Sequence, residues 1–172
     1  MLEQDYMLPE NVKVLGWLYF DGAIISRVKQ IVRPEDCDGQ VLRAAGSQFE
    51  YMFKEAGAAI TSMPSPELYS ALSTGVIDGC IGATSTWVSY KLYETVDYVN
   101  VPRDYCIWFM GEPLLVSTQT WDALTEEQQN ILAESVDELW TNWVPGEISQ
   151  LCGILDETFG DAGVERYYMT EE

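Results

Sequence analysis

Arg43 is the first residue in this chain whose type and setting suggest chemistry. It follows the apolar pair Val41-Leu42 and precedes Ala44-Ala45-Gly46-Ser47, small residues that leave room beside a guanidinium. A guanidinium presents a planar fork of N–H donors that matches a carboxylate bidentately. In a chain of formal charge -19, an anionic ligand needs such a local cation to outweigh the overall negative field. Arg43 could equally be a surface arginine paired with an Asp or Glu, and spacing alone leaves both readings open. A second group is Gly82, Thr84 and Ser85, at a strand-to-helix junction. Free N–H groups and hydroxyls at such a junction suit a ligand oxygen, and the same hydroxyls suit capping of the helix. Gly82 carries no side chain, so backbone or ligand can approach closely there. Trp17, Phe20 and Trp108 supply apolar walls for a cleft, with core packing as the alternative for each. Trp87, Trp121, Trp140 and Trp143 read as structural.

Other chemistries are excluded or weakened by what the chain lacks. It has no His, which removes Ser-His-Asp and Cys-His arrangements and every His-ligated metal site. Cys37, Cys80, Cys106 and Cys152 lie far apart with no C-x-x-C, so neither a zinc nor a redox motif is expected, and no pairing follows from spacing. No metal, cofactor or catalytic residue is expected. Among the acidic residues only Asp78 stands in a strongly apolar stretch, where a carboxylate-using hydrolase such as a glycosidase would need a pair. A turn or strand-end cap accounts for Asp78 equally well.

Lys plus Arg count 9 against 28 for Asp plus Glu, which argues against nucleic acid and against an anionic membrane surface. Hydrophobic residues make up 47% of the 172, enough for a real core. No apolar run reaches the roughly 18 residues of a membrane span. Residues 1–5 have neither the basic nor the apolar region of a signal peptide. Thr170 reads as the N-cap of a helix that then stops, so both ends look cut and the chain is expected to be a fragment.

The elements that must position these residues follow from periodicity. Strands are expected over 12–17, 23–32, 41–44, 59–62, 76–81, 96–101 and 164–168, with an interrupted extended stretch over 105–117. A helix over 48–56 carries Phe49, Met52, Phe53 and Ala56 at helical spacing, with Gly57 at C′. Ser65 is expected to cap a helix with Pro66 in its first turn and a buried stripe of Leu68, Tyr69 and Leu72. A helix spans 85–93. Thr125-Glu126-Glu127-Gln128 is a capping box opening a long helix, expected to kink or break at Pro145-Gly146 and to resume to about 159. Alternation of short strands and helices from 41 to 101 predicts an α/β fold with a mostly parallel sheet.

At this level the chain resembles a known family, the DctP-type substrate-binding proteins of TRAP (tripartite ATP-independent periplasmic) transporters. The likeness rests on Val14-Leu15-Gly16-Trp17, on Pro34-Glu35-Asp36 with Gly39, on Leu42-Arg43 and on the run from Met63-Pro64-Ser65-Pro66 to Ser73-Thr74-Gly75-Val76-Ile77-Asp78-Gly79. It continues through Lys91-Leu92-Tyr93-Glu94, Leu115-Val116-Ser117, Trp121-Asp122-Ala123-Leu124 and Glu126 to Gln129, in the family's order. The resemblance implies a periplasmic-binding-protein-like lobe with a long bracing helix, part of a two-lobe protein that closes over its ligand. It divides the chain into residues 1–11 ending a first-lobe helix, 12–113 as the second α/β lobe, and 114–172 as a crossover strand, long helix and start of the C-terminal segment. It implies an exported periplasmic protein that takes a small organic acid, with Arg43 as its carboxylate clamp, and delivers it to TRAP membrane permease subunits. A ligand-sensing domain of the same fold is the alternative. The family often carries a second arginine on the strand leaving the Gly-Trp motif, where this chain has Gly22 and Ala23, and a polar pair after Asp78-Gly79, where this chain has Cys80-Ile81.

Overall fold

The computed structural model describes residues 7–170. In chain order it contains β1 (Val12–Ser26), β2 (Val41–Arg43), α1 (Ser47–Glu55), β3 (Ala59–Thr61), α2 (Leu68–Ser73), β4 (Gly79–Ala83) and α3 (Thr84–Ser89). There follow β5 (Tyr98–Val101), β6 (Trp108–Ser117), α4 (Thr118–Ala123), α5 (Glu126–Glu138), α6 (Val144–Asp161) and β7 (Glu165–Tyr168). The strands form one sheet in the order β3-β2-β4-β1-β5-β7, with β6 also paired to β1. β2 runs parallel to β3 and β4, and β5 parallel to β7, whereas β1 is antiparallel to β4 and β5. The α/β architecture is therefore as expected, with β1 as the antiparallel member.

Two compact units divide the chain. One comprises residues up to Phe20 with Met110–Ser149, the other Asp21–Phe109 with residues from Gln150 on. In the second unit the sheet is covered on both faces, because successive strand residues point to opposite sides. Ala23, Ile25, Cys80, Val99 and Val101 join Leu68, Leu72, Trp87, Leu155 and Phe159 in one buried cluster, under α2, α3 and α6. Ile24, Leu42 and Ile81 join Phe53 of α1 in the other. In the first unit, Val136 of α5 seats against Gly16, Tyr19 packs on Trp140 with ring centroids 5.7 Å apart, and Lys13 Nζ lies 5.0 Å from the Trp121 ring centre.

Several expectations change. The strands expected over 12–17 and 23–32 are one 15-residue strand that ends at Ser26. Gly22 does not break it, because its backbone stays extended and its missing side chain makes room for Trp108. The strand stops because Ser26 Oγ accepts from the N–H groups of Val28 and Lys29 and turns the chain out. β4 starts at Gly79, not 76, since residues 76–78 turn: Gly75 has φ +74°, and the Val76 and Ile77 N–H groups both donate to Ala71 O. Ser65 makes no side-chain cap, and α2 is preceded by a single 3-10 turn over Ser65–Glu67. Tyr69 is exposed, its hydroxyl donating to Glu94 at 2.8 Å, while Leu68 and Leu72 are fully buried. β6 runs without interruption through Pro113, a residue tolerated where a strand has an unpaired edge.

The capping box at Thr125 forms as read, Thr125 N–H donating to Gln128 Oε1 at 2.9 Å and Gln128 N–H to Thr125 Oγ1 at 3.3 Å. Helix then persists through Pro145-Gly146. A π turn over Leu139–Trp143 precedes the proline and widens the backbone there. The helix read after Thr170 lies outside the described residues, as does the side chain of Trp143.

Candidate functional site

β2 leads through α1 to β3 on one side of it, and β3 leads through α2 to β4 on the other. The helix after β2 packs on one face of the sheet and the helix after β4 on the opposite face. The carboxyl ends of β2 and β4 therefore flank a point where the chain's path diverges, the place where open α/β sheets bind ligands. Arg43 is the last residue of β2, in register with Cys80 of β4.

Its side chain is buried, with 7% of its surface exposed. Nε donates to Met63 O at 3.0 Å, and Nη1 donates to Ile81 O at 3.3 Å. Both acceptors are backbone carbonyls, one after β3 and one in β4, so three neighbouring segments fix the guanidinium plane. Among the described residues the ion pairs are Arg27–Asp78, Arg103–Asp156 and Arg166–Asp156, and Arg43 belongs to none of them. The surface ion-pair reading of Arg43 thus fails on geometry. Burial lowers its pKa from the usual arginine value. Burial pushes the neighbouring Cys80 thiol up to about 12, with the Arg43 charge acting in the opposite direction. The site therefore holds a desolvated cation that no carboxylate among the described residues pairs with. Taking such a charge out of water costs several kcal/mol, which an opposite charge offsets only with good hydrogen-bond geometry.

The other sequence-picked residues divide. Gly82 is on the same face of β4 as Cys80, and a side chain there would meet Trp87 Cη2 at 2.6 Å. The room it leaves is filled by a fully buried indole and is closed to a ligand on that side. Thr84 is buried, and its Oγ1 donates to Asp21 Oδ1 at 2.5 Å. α3 has Ala83 at its N-cap with no side-chain cap bond, so neither Thr84 nor Ser85 caps it. Ser85 is half-buried in the first turn of α3. Trp108 lies over Gly22 and packs on Phe49 with ring centroids 5.3 Å apart. Since Gly22 is in register with Ala83, Trp108 reaches the same end of β4 as Arg43, from the α1 face. Its indole fills the space over one of the positions where the resemblance implies a second arginine. Trp17 and Phe20 belong to the other unit, where Trp17 lines a concavity of about 390 Å³ with Trp121 and Trp140, and Phe20 is half-buried.

Asp21 was missed by sequence reasoning. Its second oxygen accepts from Cys152 Sγ at 3.0 Å, so one carboxylate ties β1 to α3 and α6. A lone acid inside Leu18-Tyr19-Phe20-Asp21-Gly22-Ala23 was the available signal. Asp78, the acid singled out instead, accepts from Val41 N–H at 2.9 Å and from Arg27 Nη1 at 3.3 Å, a joint between strand ends. A concavity of this unit, about 440 Å³, does not include Arg43; it is lined by Ile24, Ile31, Phe53, Ile107 and Tyr167 among others, with the exposed Arg33 at it. It contains no buried cation, and the electrostatic argument therefore stays with Arg43.

Comparison with known proteins follows the same direction. The family model described as bacterial extracellular solute-binding protein, family 7 (DctP) matches residues 4–172. A solute-binding protein of Albidiferax ferrireducens is 32% identical over 123 residues, covering 72% of this chain and 36% of the relative. The C4-dicarboxylate-binding periplasmic protein DctP of Rhodobacter capsulatus is 28% identical over 131 residues, covering 72% of this chain and 38% of the relative. The crystal structure of a TRAP periplasmic solute-binding protein from Rhodoferax ferrireducens with bound malonate superposes with a TM-score of 0.86 at 26% identity, over 96% of this chain and 52% of that one. The chain thus spans about half the length, or less, of the relatives it matches.

Proposed function

The chain belongs to family 7 of the bacterial extracellular solute-binding proteins, and on that premise we propose that the full-length protein captures a small organic acid through Arg43. In this proposal it is exported to the periplasm and passes the acid to the membrane permease of a TRAP transporter. The observation that carries the reading is the buried guanidinium held by two backbone carbonyls and paired with no carboxylate among the described residues. A ligand carboxylate supplies the missing charge and the missing acceptors together. The relative with bound malonate supports a carboxylate as the ligand class. Among the described residues no helix is long and apolar enough to cross a membrane.

No covalent step is part of the proposed activity. Ligand contact at Arg43 favours the closed state of the full-length protein over the open one, and the affinity gained is partly spent on that equilibrium. The test is a thermal-shift screen of small organic acids against the full-length protein. At least one acid is expected to raise Tm, and Arg43→Ala is expected to abolish that rise while the variant still unfolds cooperatively. A panel without any stabilising acid, or undiminished stabilisation of the alanine variant, overturns the assignment.

A further inference from the structure

The fold brings two of the four thiols to one stretch of β1. Cys152, in α6, donates its Sγ hydrogen to Asp21 Oδ2 at 3.0 Å. Cys106, exposed in the loop before β6, has the backbone N–H groups of Gly22 and Trp108 directed at its sulfur. Asp21 and Gly22 are consecutive, so the anchor points of the two sulfurs are adjacent residues. Cys37 and Cys80 are buried in separate apolar clusters on opposite faces of the sheet, away from each other.

We propose that Cys106 and Cys152 form an oxidation site, joined as a disulfide when the protein meets a disulfide oxidant of the thiol–disulfide oxidoreductase class. Cys106 is the entry thiol because it is exposed. It loses its proton to water and attacks one sulfur of the oxidant's disulfide, forming a mixed disulfide and displacing the oxidant's other sulfur as thiolate. Cys152 then attacks Cys106 Sγ, its proton passing to the Asp21 carboxylate already in contact, and the oxidant's remaining sulfur leaves. Two protein thiols are oxidised, and one disulfide of the oxidant is reduced to two thiols.

The surroundings make the reaction selective. Burial, then the Asp21 hydrogen bond, pushes the Cys152 thiol up to about 12, so it does not react first. Cys106 is also raised, by burial and by Asp21, while the Gly22 and Trp108 N–H groups favour its thiolate. The bridge would tie α6 and the loop before β6 to the point of β1 that also holds Thr84, at the carboxyl end of β4. Exported proteins meet such oxidants, and the site can be tested without export.

The experiment incubates the full-length protein with oxidised glutathione, alkylates it under denaturing conditions and maps the peptides without reduction. A Cys106–Cys152 linked peptide is expected, with Cys37 and Cys80 alkylated. In Cys106→Ser the Cys152 thiol is expected to become fully alkylated, and in Cys152→Ser a glutathione adduct is expected to accumulate on Cys106. Four alkylated cysteines in the wild type, a bridge from either residue to another cysteine, or protection of Cys152 that survives Cys106→Ser overturns the proposal.

Discussion

Replacing Arg43 by Met keeps the length of the side chain and removes its charge and all of its donors. In the unliganded protein two effects oppose each other. Met63 O and Ile81 O lose their donors, and a buried acceptor left unpaired costs about 1–3 kcal/mol. Against this, an uncompensated buried cation disappears, a relief of several kcal/mol. The unliganded variant should therefore stay within about 2 kcal/mol of the parent. The liganded state has no such balance. Nε and one Nη1 hydrogen are committed to carbonyls, which leaves the other Nη1 hydrogen and both on Nη2 for a carboxylate, the geometry of a bidentate contact. Two charge-assisted bonds at about 1.5–3 kcal/mol each give roughly 3–6 kcal/mol, a rise in Kd on the order of 10²- to 10⁴-fold. Isothermal titration of the full-length protein with an acid found by the thermal screen measures this. A Kd within threefold of the parent in Arg43→Met would show that the anion is held elsewhere. Arg43→Lys should recover only part of the loss, since it restores the charge without the fork.

Gly82→Ala should destabilise by about 1–3 kcal/mol, because the new methyl meets Trp87 Cη2 at 2.6 Å in a filled core. Thermal unfolding should read a fall of roughly 2–10 °C, and Trp87→Phe in the same chain should return part of it; an unchanged Tm would mean that the indole has room to move. Asp156 gives a pH signature. Burial works against its charged form, but hydrogen bonds from Arg103, Tyr168 and Arg166 outweigh it and hold its pKa below the ordinary aspartate value of 3.8. A depressed carboxylate contributes stability above its unfolded pKa and loses it as pH falls through the folded one. Asp156→Asn should therefore lower Tm at neutral pH, and the gap to the parent should close below pH 3.8; a gap that stays constant through that range would remove the ion-pair cluster as its cause.

The elements that were readable from sequence are those whose signals are local. Gly57 and Gly75 take φ +87° and +74° at the ends of α1 and α2, and the Thr125 box forms with both of its bonds. These are backbone constraints that a few residues determine on their own. Tyr69 was misplaced because periodicity marks a face, while burial of that face is decided by what packs on it. The same limit holds for α5, whose apolar Ile131 and Leu132 remain exposed. Gly22 and Gly82 show a related limit. An extended glycine in a strand looks like a break or an opening, and here each makes room for a tryptophan that arrives from elsewhere in the chain, Trp108 and Trp87.

The contrast between Arg43 and Asp21 shows where sequence reading of a site runs out. Arg43 stood out in the sequence because the chemistry proposed for it is carried by one side chain. A guanidinium after a strand and before small residues has few uses, and what remained open was whether an acid would cancel it. That question turns on the whole charge arrangement. With 28 acidic residues in the chain, chance alone favours a partner, yet the described carboxylates beside arginines serve Arg27, Arg103 and Arg166. The backbone does what an acid would otherwise do, orienting the fork through Met63 O and Ile81 O, while no described carboxylate matches its charge. Asp21 has the opposite character. Alone it is one carboxylate among many, and its role exists only once β1, α3 and α6 bring Thr84 and Cys152 to its two oxygens. A residue that acts by joining distant segments leaves no pattern in the sequence, and the fold has to be in hand before such a joint can be read.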